Sequence, residues 1–264
     1  MPPAPDPRDR PIAVFDSGVG GLTVLHEQLV HLPEEDFVYL GDTARFPYGQ
    51  RTAQELEGFC LQIAEVMLRH RAKLLVIACN TATAAALPAL RRRMLQTTLG
   101  VDVLGVVRPE AVQAVTATRN GRIGLLATPA TVMSGAYAEA VAAADPHVDL
   151  ISVPCPDLAP LREGGVDTVI LGCTHYPLVS PMLQRMLGRG VEIVTSGAAL
   201  ARQVEHALGS RDLAARRTGE GSYRFLCTDD IESFRALGTR FLQMPLGEVQ
   251  HVELEPLHEE RTSA

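Results

Sequence analysis

With 264 residues, 46% of them apolar and 21% charged, the chain is long enough to bury a full core as one large or two medium domains. A net charge of −7 argues against nucleic acid as a partner, since no region concentrates enough Lys and Arg; Arg91-Arg92-Arg93 is a local exception that reads as a solvated helix end. No apolar run approaches the roughly 18 residues of a membrane span.

In chain order, residues 1–10 are rich in proline and charge, have no apolar run of the signal-peptide kind, and read as a disordered tail. Pro11 to Phe15 reads as a buried strand that ends in Asp16-Ser17-Gly18-Val19-Gly20-Gly21, with a helix from about Leu22. The glycines allow close backbone approach, and the helix start offers N–H donors. The third glycine of a dinucleotide fingerprint is missing and Asp16 would repel a phosphate. A small amino acid suits this turn better, with Ser17 donating to a carboxylate and Asp16 facing an ammonium. A tight turn capped by Asp and Ser explains the same residues equally well.

Phe37 to Leu40 reads as a second strand, followed by the loop Gly41-Asp-Thr-Ala-Arg-Phe-Pro-Tyr48-Gly49 and a helix from Thr52 to about His70. Cys60 lies on the apolar stripe of that helix and reads as packing. Leu74 to Ala78 is an unbroken apolar run, as a parallel sheet covered on both faces requires, and it leads into Cys79-Asn80-Thr81 and an Ala-rich helix. A cysteine between a strand end and a helix start sits where the helix dipole favours a thiolate. Lys73, the chain's single lysine, lies at the opposite end of this strand. That position discards pyridoxal-phosphate catalysis, which needs a Schiff-base lysine at the site.

After a strand at Val103 to Val107, a helix at Pro109 to Thr118 and a turn at Arg119-Asn-Gly121, the plan restarts. Ile123 to Ala127 is a strand ending at Thr128, with Thr131 nearby and a helix to about Ala144; Val148 to Val153 and Val166 to Leu171 are strands, and the second runs into Cys173-Thr174-His175. Val191 to Val194 and a helix to Leu208 follow, then a strand at Tyr223 to Cys227, a helix from about Asp229 and a strand near Val249 to Leu254. The predicted fold is therefore α/β, with two pseudo-symmetric doubly wound domains of mostly parallel sheets and the site in the cleft between them. The first domain spans 11–107 and is rejoined by 209–264; the second spans 108–208. Asp16 to Cys79 is 63 residues and Ala127 to Cys173 is 46, a deficit that falls between Val153 and Val166. That interval looks too short for a crossover helix.

The five cysteines, at 60, 79, 155, 173 and 227, are odd in number and form no C-x-x-C. They fit a reducing cytoplasm and neither a disulfide framework nor a zinc ribbon. Cys155 and Cys227 lack the strand-Cys-helix context and read as inert. Cys173-x-His175 is a conceivable metal pair, but no second close pair accompanies it, so no metal is expected. Two thiols approaching a carbon from opposite faces would suit removal of a proton on one side and its replacement on the other. Asp16 and His175 stand as tuning partners, and Ser17, Asn80, Thr81 and Thr174 as donors to a carboxylate. A Cys–His nucleophile is the other chemistry available, and it leaves Cys79 unexplained.

Phe15-Asp-Ser-Gly-Val-Gly-Gly-Leu-Thr-Val24, Tyr39-Leu-Gly-Asp-Thr-Ala-Arg-Phe-Pro-Tyr-Gly49, Ile77-Ala-Cys-Asn-Thr-Ala82 and Leu171-Gly-Cys-Thr-His-Tyr-Pro177 resemble the signatures of bacterial glutamate racemases, in order and register, and the similarity runs from about Ile12 to Leu254. The resemblance implies cofactor-independent interconversion of L- and D-glutamate, supplying D-glutamate to peptidoglycan. It implies Cys79 and Cys173 as the acid/base thiols. It implies Asp16, Ser17, Tyr48, Gly49, Asn80, Thr81, Thr174 and His175 as substrate-binding positions, with Thr128 and Thr131 near the ligand. Members of the family often form homodimers. The chain departs from the family in lacking most of a segment after Cys155-Pro156, which in the family carries a glutamate near the second cysteine's histidine. That role is not transferred to Glu163. It departs again at Val107-Arg108-Pro109-Glu110, where the family commonly has an acid before the proline and a glycine after it. A racemase of another acidic amino acid such as aspartate, or a homologue that binds without turnover, are the readings that compete.

Overall fold

The computed structural model describes residues 6–97 and 100–256. It holds two sheets in which every strand pairing is parallel. The first is built from β1 (Ile12–Asp16), β2 (Phe37–Gly41), β3 (Leu74–Ile77), β4 (Asp102–Gly105), β9 (Tyr223–Cys227) and β10 (Val249–His251), in the order β10-β9-β2-β1-β3-β4. The second contains β5 (Arg122–Ala127), β6 (Asp149–Pro154), β7 (Thr168–Gly172) and β8 (Glu192–Val194), in the order β6-β5-β7-β8. The core of the first sheet, β2-β1-β3-β4, thus has the strand order of the whole second sheet, and the cysteines follow β3 and β7, which hold the same place in each.

Helices α1 (Leu22–His31), α2 (Ala53–Arg69), α3 (Asn80–Leu95) and α4 (Val107–Ala117) belong to the first half of the chain. Then come α5 (Pro129–Met133), α6 (Ala136–Ala144), α7 (Ala159–Glu163), α8 (Ser180–Leu187), α9 (Ser196–Ser210) and α10 (Ile231–Leu242). The strands β1, β2 and β3 are buried at every position because helices cover both faces. On one face Leu22 and Leu25 of α1 pack with Leu200, Val204 and Leu208 of α9 and with Phe234 and Leu242 of α10. On the other, Leu56, Cys60 and Ile63 of α2 pack with Ala82, Ala86 and Leu90 of α3. Cys60 is therefore core, as its stripe indicated. Helix α2 starts at a capping box in which Thr52 and Glu55 satisfy each other's backbone N–H.

Four expectations are corrected. Residues 6–10 do not continue a tail: Pro7–Asp9 form a 3-10 turn capped by Asp6, and Lys73 Nζ donates to the Arg8 carbonyl at 2.7 Å while pairing with Glu35. Residues 1–5 of the expected tail lie outside the described residues. Helix α9, assigned from sequence to the second half, places its apolar side on the first sheet. The helix expected after the Thr128 strand end and running to about Ala144 breaks into α5 and α6 at Gly135, whose φ is 72°.

The fourth is the short interval after β6, which does carry a crossover helix. The five-residue α7 crosses β5 and places Leu161 against Gly124, where an added Cβ would meet the leucine side chain at 2.9 Å. Leu158, Leu161 and Val166 then fill a core with Val169, Leu171 and Leu183. A missing side chain on β5 lets a helix of little more than one turn cover the sheet.

Candidate active site

The carboxyl ends of β1, β2, β3, β5 and β7 converge on one cavity of about 410 Å³. Ser17, Tyr48, Gly49, Cys79, Asn80 and Thr81 line it from the first sheet, and Thr128, Cys173, Thr174 and His175 from the second. Asp16 stands behind the wall, fully buried. Its carboxylate accepts from the Gly18 N–H at 3.0 Å and from the Thr174 hydroxyl at 3.3 Å. Burial pushes the Asp16 carboxyl up, and the nearby His175 opposes this.

Each thiol is placed by a strand end. Cys79 is the N-cap of α3; its Sγ accepts from the Ala82 N–H at 3.5 Å and contacts Ser17 Oγ at 3.8 Å. Cys173 Sγ lies 3.9 Å from His175 Nδ1, longer than a firm sulfur contact. The helix start and the histidine were expected to lower these thiols. Burial outweighs both and pushes each up to about 12. Neighbouring negative charge adds to the shift: Asp16 and then Cys173 for Cys79, and Asp16, Cys155 and Glu110 for Cys173. A thiolate here needs positive charge brought into the cavity.

The loop after β2 is held by Asp42. Its carboxylate accepts from the Tyr48 hydroxyl, from Arg45 Nε at 2.6 Å and from Thr228 Oγ1 at 2.8 Å. This turns Tyr48 inward and aims Gly49 at the cavity. A Cβ on Gly49 would press on Thr128 at 2.9 Å. Across the cleft Thr81, Thr128 and Thr131 form a triangle of hydroxyls 2.9–3.0 Å apart that joins α3 to α5. Thr131 itself lies behind the cavity wall. His175 is held between Phe46, tilted against it, and Phe241, which it meets edge to face, with ring centroids 5.6 and 5.5 Å away.

Several residues were not picked out from the sequence. Cys155, read as inert, lines the cavity beside Tyr176, as do Phe46 and Gln50. Glu110 was noted only as a departure from a family pattern, yet it is fully buried behind Asn80 and accepts from Asn80, Tyr137 and Ser196. A glutamate in the first turn of a helix looks like an ordinary dipole-compensating residue, and only its burial marks it. Among the described residues no group of three or more His, Cys, Asp or Glu is placed to hold a metal. No helix among them is long and apolar enough to cross a membrane.

Residues 24–158 match the Asp/Glu/Hydantoin racemase family. The chain is 40% identical to the glutamate racemase of Geobacter metallireducens over 92% of its own length and 97% of the relative's. Its fold superposes on the crystal structure of glutamate racemase isoform RacE1 from Bacillus anthracis with a TM-score of 0.88, at 34% identity over 94% of this chain and 98% of the other. The glutamate racemase of Francisella tularensis, crystallised with D-glutamate, superposes with a TM-score of 0.85 at 28% identity, over 94% and 99% of the two chains. Agreement of this extent, over nearly the whole of both chains and with both strand-end cysteines facing one cavity, makes the protein a member of the glutamate racemase family.

Proposed function

We propose that the chain interconverts L- and D-glutamate without a cofactor, with Cys79 and Cys173 as the two acid/base groups. One observation carries the reading: thiols at equivalent positions of two like sheets line a single cavity. Family membership supplies the substrate, and the D-glutamate produced feeds peptidoglycan.

In one direction the Cys79 thiolate removes the α-proton and the Cys173 thiol delivers a proton to the opposite face; in the other direction the roles exchange. The charge that develops at the α-carbon passes into the α-carboxylate. The Ser17 hydroxyl and the backbone N–H groups at the start of α3 hold that carboxylate and stabilise the charge, with Thr174, whose hydroxyl donates to Asp16, beside them. The substrate ammonium is the positive charge that favours a thiolate in a buried site. Tyr48, Gly49, Thr81, Thr128 and His175 shape the cavity around the ligand, and Asp16 acts from behind it. Strand β7 keeps full pairing with β5 despite the short crossover before it, which supports turnover over binding alone. The division into a Cys79 half and a Cys173 half around the cleft, a cytoplasmic setting for five free cysteines, and a homodimer complete the proposal.

The test is incubation of the purified protein with L-glutamate in deuterated water, with no added cofactor. Circular dichroism reads racemisation and mass reads deuterium at the α-carbon. Both signals, lost in Cys79→Ala and Cys173→Ala, are the expected outcome. A folded wild type that shows neither would overturn the reading. Aspartate assayed alongside distinguishes the acids.

A further inference from the structure

Among the described residues neither ring nitrogen of His175 bonds to an oxygen or another nitrogen; its one polar contact is the 3.9 Å approach of Nδ1 to Cys173 Sγ. A ring without such a bond is oriented by packing, and the packing here comes from the other half of the molecule. Phe46, on the loop after β2, meets the imidazole at 5.6 Å between centroids with the planes tilted by 45°, and Phe241, of α10, meets it at 5.5 Å and 77°. The main chain closes a further side, since a Cβ added at Gly20 would lie 2.6 Å from both Nδ1 and Cε1. Phe46 is 49% exposed where it lines the cavity, so core burial is not what holds it there.

We propose that Phe46 and Phe241 are positioning residues that hold the His175 imidazole with Nδ1 toward the Cys173 thiol, so that the ring exchanges a proton with that thiol. This rests on the racemase reading for what the thiolate then does. With the neutral ring protonated on Nε2, Nδ1 takes the proton as the S–H bond breaks; the electron pair stays on sulfur, and a thiolate and an imidazolium face each other. The 3.9 Å approach is just beyond a firm contact, so a small turn of the ring decides whether the transfer occurs. The titratable groups facing the ring are Cys173 and Asp16 of β1, whose carboxyl feels the ring's charge; the loop after β2 and α10 meet it with phenyl carbons. The histidine follows β7 and both phenyls belong to elements around the first sheet, so the arrangement depends on how the two halves meet.

The experiment reads the Cys173 thiol directly. Wild type, Phe46→Leu, His175→Gln and the double variant, each checked by circular dichroism for a retained fold, are treated with iodoacetamide between about pH 6 and 10 without glutamate, and peptide masses give the alkylation rate of each cysteine. Phe46→Leu is expected to slow Cys173 alkylation near neutral pH by about tenfold or more, moving its profile to higher pH in the direction of His175→Gln. The double variant is expected to go no further than His175→Gln alone, because the phenyl acts through the imidazole. Cys79, read in the same molecules, keeps its profile. Phe46→Tyr retains the ring and the wild-type profile, and Phe241→Leu shifts it in the same sense as Phe46→Leu. In racemisation assays Phe46→Leu is expected to lower kcat by about tenfold with KM changed by less than about twofold.

A Cys173 profile that Phe46→Leu leaves unmoved, or that shifts further in the double variant than in His175→Gln, overturns the proposal while leaving racemisation intact. Equal shifts of Cys79 and Cys173 also overturn it, since they mark a general loosening of the cavity. A wild type that does not racemise glutamate, in a series whose Cys173 profiles follow Phe46 and His175 as expected, overturns the racemase reading and upholds this one.

Discussion

Cys79 and Cys173 close β3 and β7, the strands flanking β1 and β5 on the same side in two sheets of like order, and each raises its thiol above one shared cavity. Two sheets of like strand order thus bring two chemically equal groups to one cavity, the pairing that the proposed proton transfer across a carbon calls for. Neither thiol is primed by its surroundings. Burial holds both up to about 12, and the role proposed for them calls for positive charge brought in with the substrate.

Removal of either thiol is expected to lower racemisation by about 10²–10⁴-fold or more, the usual contribution of a general acid or base. Stopped-time assays from L- and from D-glutamate, on Cys79→Ala and Cys173→Ala, check this. A variant retaining more than about a tenth of wild-type turnover in both directions would remove that thiol from the mechanism.

The titration of Glu110 makes stability depend on pH in a defined direction. An ordinary glutamate titrates at 4.5, and burial raises this one to about 7 in the folded state. Between those values the folded chain keeps a proton that the unfolded chain has released. Stability therefore falls as pH rises through that window, by up to about 3 kcal/mol from this group. The groups facing it, Asn80, Tyr137 and Ser196, and the Cys173 thiol that feels its charge, bring no cation to offset the loss. Urea unfolding at pH 5 and pH 8 is expected to show a steeper decline for wild type than for Glu110→Gln.

Asp42 supports the Tyr48–Gly49 loop from below. Asp42→Asn keeps the shape but replaces an anion that accepts from Tyr48, Arg45 and Thr228. A loss of about 1–3 kcal/mol in stability is expected, with a rise in KM larger than the fall in kcat. An unchanged KM would show that the loop's placement does not depend on this carboxylate.

Gly20 lets the two halves meet. A Cβ there would lie 2.4 Å from Thr174 Oγ1 and 2.6 Å from the His175 ring, both at the cavity wall. Gly20→Ala is expected to lower kcat/KM by about tenfold or more while moving Tm only a few degrees, since the displaced groups belong to the site and not to a core cluster. Full activity with a large loss of Tm would reverse that assignment.

What the sequence determined by itself is local or repeated. Apolar runs such as Leu74–Ile77 marked buried parallel strands, because a sheet covered on both faces has no polar side. The strand-Cys-helix phrase at Cys79 and at Cys173 could be read twice, and the motifs around them indicated the family. The tertiary structure decided what depends on distant groups meeting. Burial set the thiols high where the helix dipole alone pointed low. Gly124 made room for α7 across an interval that looked too short. Glu110, an ordinary first-turn acid in sequence, became the buried anchor of Asn80 because α3, α6 and α9 close around it. Local patterns follow from hydrophobic periodicity and backbone chemistry within a few residues. Desolvation and hydrogen-bond orientation depend on neighbours that only the folded chain brings together.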